Sequence, residues 1–125
     1  MSLEAAIICA ALNLKHEARG EPLLGQYAVV HVVRNRAKYN PDRVCKVVLA
    51  HKQFSWTINM NGHNSHQFEK SIHIAHMAWQ SQDVTHGATH YHVRPGCPGG
   101  VRPYWSAKMK RVATIGCHHF YRKQP

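Results

Sequence analysis

A chain of 125 residues leaves room for one domain, so residues 1–125 are expected to fold as a single unit. Sixteen Lys plus Arg stand against six Asp plus Glu, a formal charge of +10 with all twelve His neutral, and any mechanism that needs a carboxylate must draw on Glu4, Glu17, Glu21, Asp42, Glu69 or Asp83. With 44% hydrophobic and 18% charged residues the composition excludes whole-chain disorder, and no apolar run approaches the roughly 18 residues of a membrane helix.

Leu3, Ile7, Ala10, Ala11 and Leu14 recur at helical spacing and predict a first helix from Leu3 to His16, ending near Arg19 with Gly20 as its stop signal. Its apolar stretch from Ala5 to Leu12 is short and follows Glu4 rather than a basic region, so it does not read as a signal peptide. Pro22 suits the first turn of a second helix, and the run Tyr27 to Val33 is apolar on nearly every side, which predicts a central, buried helix broken at Asn40 and Pro41. Val44, Val47 and Val48 predict a short helix over Asp42 to Leu49. Gln53 to Trp56 reads as a loop or short extended piece, and Asn59 to Ser65 as a polar connector. A third long helix is predicted from Ser65 to Gln82, with Phe68, Ile72, Ala75 and Trp79 on one face.

After Gly87 the pattern changes. Ala88 to Val93 alternates, Arg94 to Pro103 is rich in Gly and Pro, and Trp105 to Met109, Val112 to Ile115 and His118 to Tyr121 follow as short pieces. These predict a few strands around a helical turn. The fold class is therefore α+β, mainly helical, with a small C-terminal β region.

Cys9, Cys45, Cys97 and Cys117 form no CxxC pair. Without an export signal, free thiols are the expectation, with Cys9 and Cys45 as small core residues. Cys97 and Cys117, in Gly-rich surroundings, could be bridged in an oxidising space.

Glu17 is the most informative carboxylate. On a helical wheel it falls at the edge of the stripe made by Leu3, Ile7, Ala10 and Leu14, and it sits in the last turn, at the negative end of the helix dipole. Partial desolvation and the dipole both raise a carboxyl pKa, as a general acid near neutral pH requires. Lys15, His16 and Arg19 act in the opposite direction, and a helix-end Glu paired with Arg19 is the plainer alternative.

The segment His16-Glu17-Ala18-Arg19-Gly20-Glu21-Pro22, followed by Gly25-Gln26 and Asn35-Arg36, resembles the cell-wall hydrolase family that includes the spore-cortex lytic enzymes. Further matching blocks follow in order: Val44 to Val48, Gln53-Phe54-Ser55-Trp56, Gly87 to His92, Pro103-Tyr104-Trp105 and Ile115 to Tyr121. The resemblance spans nearly the whole chain. It implies a lysozyme-like fold acting on the glycan strands of peptidoglycan, with Glu17 as the catalytic acid and no cofactor. Segment Arg94 to Arg102 is richer in Gly and Pro than the family pattern suggests and reads as a lid or rim of the cleft.

Glycoside hydrolysis usually employs two carboxylates. No obvious partner for Glu17 exists: Glu21 lies beyond the helix end, and Glu4 is more than three turns away at ~1.5 Å per residue. That shortage fits a lytic transglycosylase, which the resemblance also suggests, in which the same Glu protonates the glycosidic oxygen and then deprotonates the muramic acid 6-hydroxyl. Gln53, Ser55, Trp56, Thr89, His90, Tyr91, Tyr104 and Trp105 offer hydrogen bonds and flat surfaces to a glycan. Alternation puts Thr89, Tyr91 and Val93 on one strand face and His90 and His92 on the other, and either set could line the cleft. Phe54, Phe68, Trp79 and Phe120 read as core.

Twelve histidines invite a zinc reading, through His63 and His66, His73 and His76, His90 and His92, or His118 and His119. No H-E-x-x-H occurs and the spacings match no common zinc site, so no metal is expected, and a zinc-dependent peptidoglycan amidase or peptidase is the alternative reading. The cluster Arg34, Arg36, Lys38, Arg43, Lys46 and Lys52 would also suit a small nuclease or another nucleic-acid-binding protein. With the family blocks in place, the expected partners are peptidoglycan and the anionic polymers or lipid phosphates of the envelope, not nucleic acid, engaged by a monomer. Lacking the export signal and wall-binding domain of cortex enzymes, the chain reads as a phage endolysin made in the host cytoplasm and acting on the wall after release.

Overall fold

The computed structural model describes residues 2–18, 20–50 and 65–124. Gln53, Ser55 and Trp56 lie outside them. Among the described residues four helices come first, α1 (Leu3–Ala18), α2 (Leu23–Arg36), α3 (Pro41–Leu49) and α4 (Ser65–Trp79), followed by strands β1 (His90–Val93), β2 (Met109–Ile115) and β3 (His118–Lys123). A 3-10 turn, Tyr104–Lys108, leads into β2. The α+β class and the C-terminal position of the sheet are as expected. Among the described residues no helix is long and apolar enough to cross a membrane.

Helix α1 buries Ile7, Ala10, Ala11 and Leu14 against α4, α3 and α2, while Leu3 is largely exposed. Helix α2 is covered on nearly every side, with Ala28, Val29, Val30 and Val32 almost fully buried, as its all-round apolar run requires. Pro22 stands just before this helix as its N-cap. Asn40 caps α3, its side chain accepting from the Asp42 N–H at 3.0 Å, and Pro41 takes the first helical position, where a missing N–H does no harm.

The cysteines depart from expectation. Cys9 and Cys45 form a disulfide that ties α1 to α3, and Cys97 and Cys117 form a second. Packing brings their Cα atoms to 5.2 and 5.9 Å, within bridging distance.

Helix α4 ends at Trp79 rather than Gln82, and the reason lies on α2. His31 is fully buried. Its Nδ1 receives the Val84 N–H at 3.2 Å, so the proton sits on Nε2, which donates to the Ala78 carbonyl at 2.9 Å. Burial pushes the His31 pKa down, against the pull of the Ala78 carbonyl, and the ring is neutral. Buried Arg34 donates to the carbonyls of Trp79 at 2.7 Å and Ser81 at 2.8 Å. Orphan carbonyls at the helix end are thus satisfied by side chains rather than by another turn.

Asp83 organises the connector that follows. It accepts from the Thr85 N–H (2.7 Å), the Thr85 hydroxyl (2.6 Å), the Gly87 N–H (2.9 Å) and the Asn35 amide (3.0 Å). Asn35 also donates to the Ala88 carbonyl at 2.8 Å. Of the two residues expected to begin the strand, Ala88 belongs to this clamp, while the Thr89 N–H donates to the Tyr121 carbonyl at 2.9 Å just ahead of β1, which starts at His90.

The sheet order is β1-β3-β2, antiparallel throughout. β2 starts three residues before the predicted Val112, because Met109 and Lys110 already pair with Lys123 and Arg122, and a bulge lies between Arg111 and Ala113. In β1 and β3, His90 faces Tyr121, Tyr91 faces Phe120, His92 faces His119 and Val93 faces His118.

Candidate active site

Glu17 is half-buried. Three residues beyond Leu14 on α1, it stands where the buried stripe meets the surface, in the last helical turn. It lines two neighbouring cavities. One, of about 330 Å³, is shared with Glu21, Val93, Cys97, Cys117 and His118; the other, of about 470 Å³, with Lys15, His16 and Gly20.

Glu21 is committed to the hairpin between β2 and β3. Its Oε1 accepts the Cys117 N–H at 2.8 Å and lies 3.1 Å from His118 Nδ1, with the two side chains 13% and 3% exposed. Gly116 has φ +58°, and a Cβ there would stand 2.6 Å from Glu21 Oε1, so only glycine permits this close approach. The Gln26 amide donates to the Glu21 carbonyl at 2.8 Å, and a Cβ on Gly25 would press on Glu21 Cβ at 3.2 Å. Burial pushes the His118 pKa down although the Glu21 charge opposes it, and His118 Nε2 is buried with no hydrogen-bond partner among the described residues.

The register settles the two strand faces. Tyr91 packs inward, edge-on to His118 at 5.2 Å and beside Phe120 at 5.9 Å. Burial pushes the Tyr91 pKa up, the nearby Glu17 charge pushes it further, and a hydrogen bond with the buried Asn13 side chain pulls the other way. Tyr91 is therefore a neutral hydroxyl within the field of Glu17. His90 and His92 face outward, against Trp105 at 5.4 and 5.8 Å. His92 Nδ1 faces the Val93 carbonyl at 2.8 Å, and Nε2 accepts from the Tyr121 hydroxyl at 2.9 Å. On the same face His119 accepts from Arg111 at 3.1 Å and donates to Thr114 at 2.8 Å; desolvation, then Arg111, lowers its pKa.

A third cavity, a groove of about 620 Å³, runs beside β1 and includes His90, Tyr91, His92, Val93 and Trp105. Val93 lines both this groove and the 330 Å³ cavity that holds Glu17. His90, Tyr91 and Trp105 are thus brought to one groove, which shares Val93 with the Glu17 cavity. Thr89 and Tyr104 are not. The Thr89 hydroxyl pairs with His90 Nδ1 at 2.9 Å, and Tyr104 is 84% exposed at the start of its turn. Among the described residues no group of three His, Cys, Asp or Glu is placed to hold a metal. His118 and Asn13 were not singled out from sequence as members of this site, and Glu21 was weighed only as a second carboxylate. Glu21 and His118 stand inside the matching blocks, but the contact between them spans 97 residues and nothing local predicts it.

A family model described as Cell Wall Hydrolase matches residues 20–121, beginning three positions after Glu17. The fold resembles the crystal structure of the catalytic domain of the Bacillus cereus SleB protein, with a TM-score of 0.67 and 24% identity over 94% of this chain and 91% of that one. It also resembles the catalytic domain of the germination-specific lytic transglycosylase SleB from Bacillus anthracis, with a TM-score of 0.68 and 24% identity over 98% of this chain and 96% of that one. No curated protein sequence matches.

Proposed function

The chain belongs to the Cell Wall Hydrolase family, and from that premise we propose that it is a lytic transglycosylase cleaving the glycan strands of bacterial peptidoglycan, with Glu17 as its one acid/base group. The observation that carries this reading is the disposition of the carboxylates. Glu17 is half-buried between two cavities, and among the described residues the other carboxylate that lines them, Glu21, is occupied by the Cys117 N–H and His118. Asp83 is enclosed by its four donors, and Asp42 lies in the first turn of α3.

In this mechanism the protonated Glu17 gives its proton to the glycosidic oxygen as the bond from the anomeric carbon to that oxygen breaks. The carboxylate then accepts the proton of the muramic acid 6-hydroxyl, whose oxygen closes on the anomeric carbon. The product is a 1,6-anhydro end, Glu17 recovers its proton, and no water is consumed. The partly desolvated setting at a helix C-terminus favours the neutral acid needed for the first step. Tyr91, neutral and inward-facing, supplies a polar wall near the reacting oxygens.

His90, Tyr91 and Trp105 serve as substrate contacts along the groove. Gln53, Ser55, Trp56, Thr89 and Tyr104 belong to the same proposal through the family resemblance. So do a lysozyme-like fold and a single domain working as a monomer. The charge of +10 suits binding to anionic envelope polymers, and two disulfides suit work in an oxidising space outside the cytoplasm.

A second reading has one observation in its favour. Glu21 shares the cavity with Glu17, so a two-carboxylate hydrolysis is the competitor. Mass spectrometry of digested sacculi separates the two: anhydro-muramic ends are expected, and exclusively reducing ends would overturn the transglycosylase. Glu17→Gln is expected to lower product release by about 10³-fold while the fold stays intact; release at the parent rate would remove Glu17 from its role.

A further inference from the structure

The groove beside β1 has features that glycan cleavage does not use. Side chains alternate along a strand, so a groove on one face touches every second residue. This one is lined by four consecutive residues, His90 to Val93, and therefore follows the strand's edge. That edge is the outer one, since β1 ends the sheet among the described residues. The Arg94 N–H donates to the Cys117 carbonyl at 2.8 Å. By antiparallel alternation His92 also aims its backbone at β3, and Tyr91 and Val93 aim theirs at the groove. The Val93 carbonyl already receives the His92 ring, which among the described residues leaves the Tyr91 N–H, the Tyr91 carbonyl and the Val93 N–H as a ladder for an added strand.

The charge of the groove is one-sided. Arg36 from α2 and Arg102 from the Gly- and Pro-rich loop both line it, and none of the chain's six carboxylates does. Both arginines are exposed. Arg36 also lines an adjoining cavity of about 510 Å³ with Arg43 and Lys46, which extends the positive strip. The groove also shares Val93 with the Glu17 cavity. A ligand suited to it is short, extended, rich in carboxylates and attached close to the bond that Glu17 cleaves.

We propose that the groove binds the carboxylate-bearing peptide carried by muramic acid in peptidoglycan, as an added strand along β1 with Arg36 and Arg102 taking its carboxylates. Four strand residues span about 13 Å at ~3.3 Å each, the reach of a short peptide. Main-chain pairing supplies affinity, and the arginines select for acid groups. The inference rests on the reading of the chain as a glycan-cleaving enzyme and assigns a further part of the same substrate.

The test compares peptide-bearing strands with strands stripped of peptide by an amidase, for the parent and for an Arg36→Gln/Arg102→Gln double variant. The parent is expected to favour peptide-bearing strands by on the order of tenfold in kcat/KM, and the double variant to bring that ratio near one. A parent that shows no such preference, or a double variant that keeps it, would overturn the proposal. A second measurement does not depend on cleavage: titration of the free peptide L-alanyl-γ-D-glutamyl-diaminopimelyl-D-alanine, followed by NMR, is expected to shift the Tyr91 and Val93 amides of the parent. Unmoved amides refute the groove. If neither glycan is cleaved while those amides shift, the glycan-cleavage reading has failed and the peptide site stands.

Discussion

Replacing Asp83 by Asn tests whether the connector clamp fixes the sheet. Burial pushes the Asp83 carboxyl pKa up, but hydrogen bonds from the Thr85 hydroxyl and N–H, the Asn35 amide and the Gly87 N–H outweigh it and hold the value at about 2, against 3.8. A gap of that size corresponds to about 2.5 kcal/mol of stability at neutral pH. The side chain is 17% exposed, so solvent screening takes little from this figure. Asn preserves the shape but turns an NH₂ toward donors, so the expected loss is about 2–3 kcal/mol. Because the folded pKa is depressed, the contribution is present above 3.8 and disappears as pH falls through about 2. Urea denaturation of the disulfide-intact protein, at neutral pH and down a series of acidic buffers, measures both effects. The variant is expected to be weaker at neutral pH and to lose part of the parent's acid-induced decline. A loss below about 1 kcal/mol with an unchanged acid limb would refute the clamp as a source of stability.

Three other outcomes follow from the same geometry. His31 has a pKa lowered from 6.5 by burial, so its stabilisation is present above 6.5 and is lost as pH falls toward the folded value. His31→Gln should lower stability by about 1–2 kcal/mol at neutral pH and flatten the mildly acidic part of the profile, read by thermal melts across that range. Gly116→Ala would force a Cβ to 2.6 Å from Glu21 Oε1 at φ +58°; a loss of about 1–3 kcal/mol and slower clearing of sacculi are expected by denaturation and turbidity. Removing the Cys97–Cys117 bridge, with a separation of 20 residues, should lower stability by about 3 kcal/mol through chain entropy alone, checked by denaturation of the double Ser variant.

The helices were legible because their stabilising feature is local periodicity. Leu14, Ala10 and Ile7 define a stripe, and the same wheel put Glu17 at its margin, where it is half-buried. The end of α4 was not legible, because Arg34 and His31 terminate it from a helix more than 40 residues earlier. Nor could alternation alone choose between Tyr91 and His90 as inward-facing residues. That choice needs the pairing of Tyr91 with Phe120 and the buried side of β3, which are tertiary facts. The Cys9–Cys45 bridge was not legible for a related reason, since packing of α1 on α3 creates the distance that closes it, whereas the Cys97–Cys117 bridge stood open as a possibility. Glu21 lay within a matching block, but its occupation by Cys117 and His118 depends on a hairpin folded back over the start of α2.

Helix α2 carries His31, Arg34 and Asn35 as three successive anchors for a connector that lies 45 to 53 residues away in sequence. Folding order follows from this. The connector's bonds to His31, Arg34 and Asn35 wait until α2 and α4 have docked, and β1 has no fixed starting point until the connector is anchored. Helix formation can run ahead, but the wall that faces Glu17 is assembled late and in one step with closure of the core. Intermediates with native helices and an unplaced sheet would therefore be compact and inactive, and recovery of cleavage during refolding would lag behind recovery of helical circular dichroism.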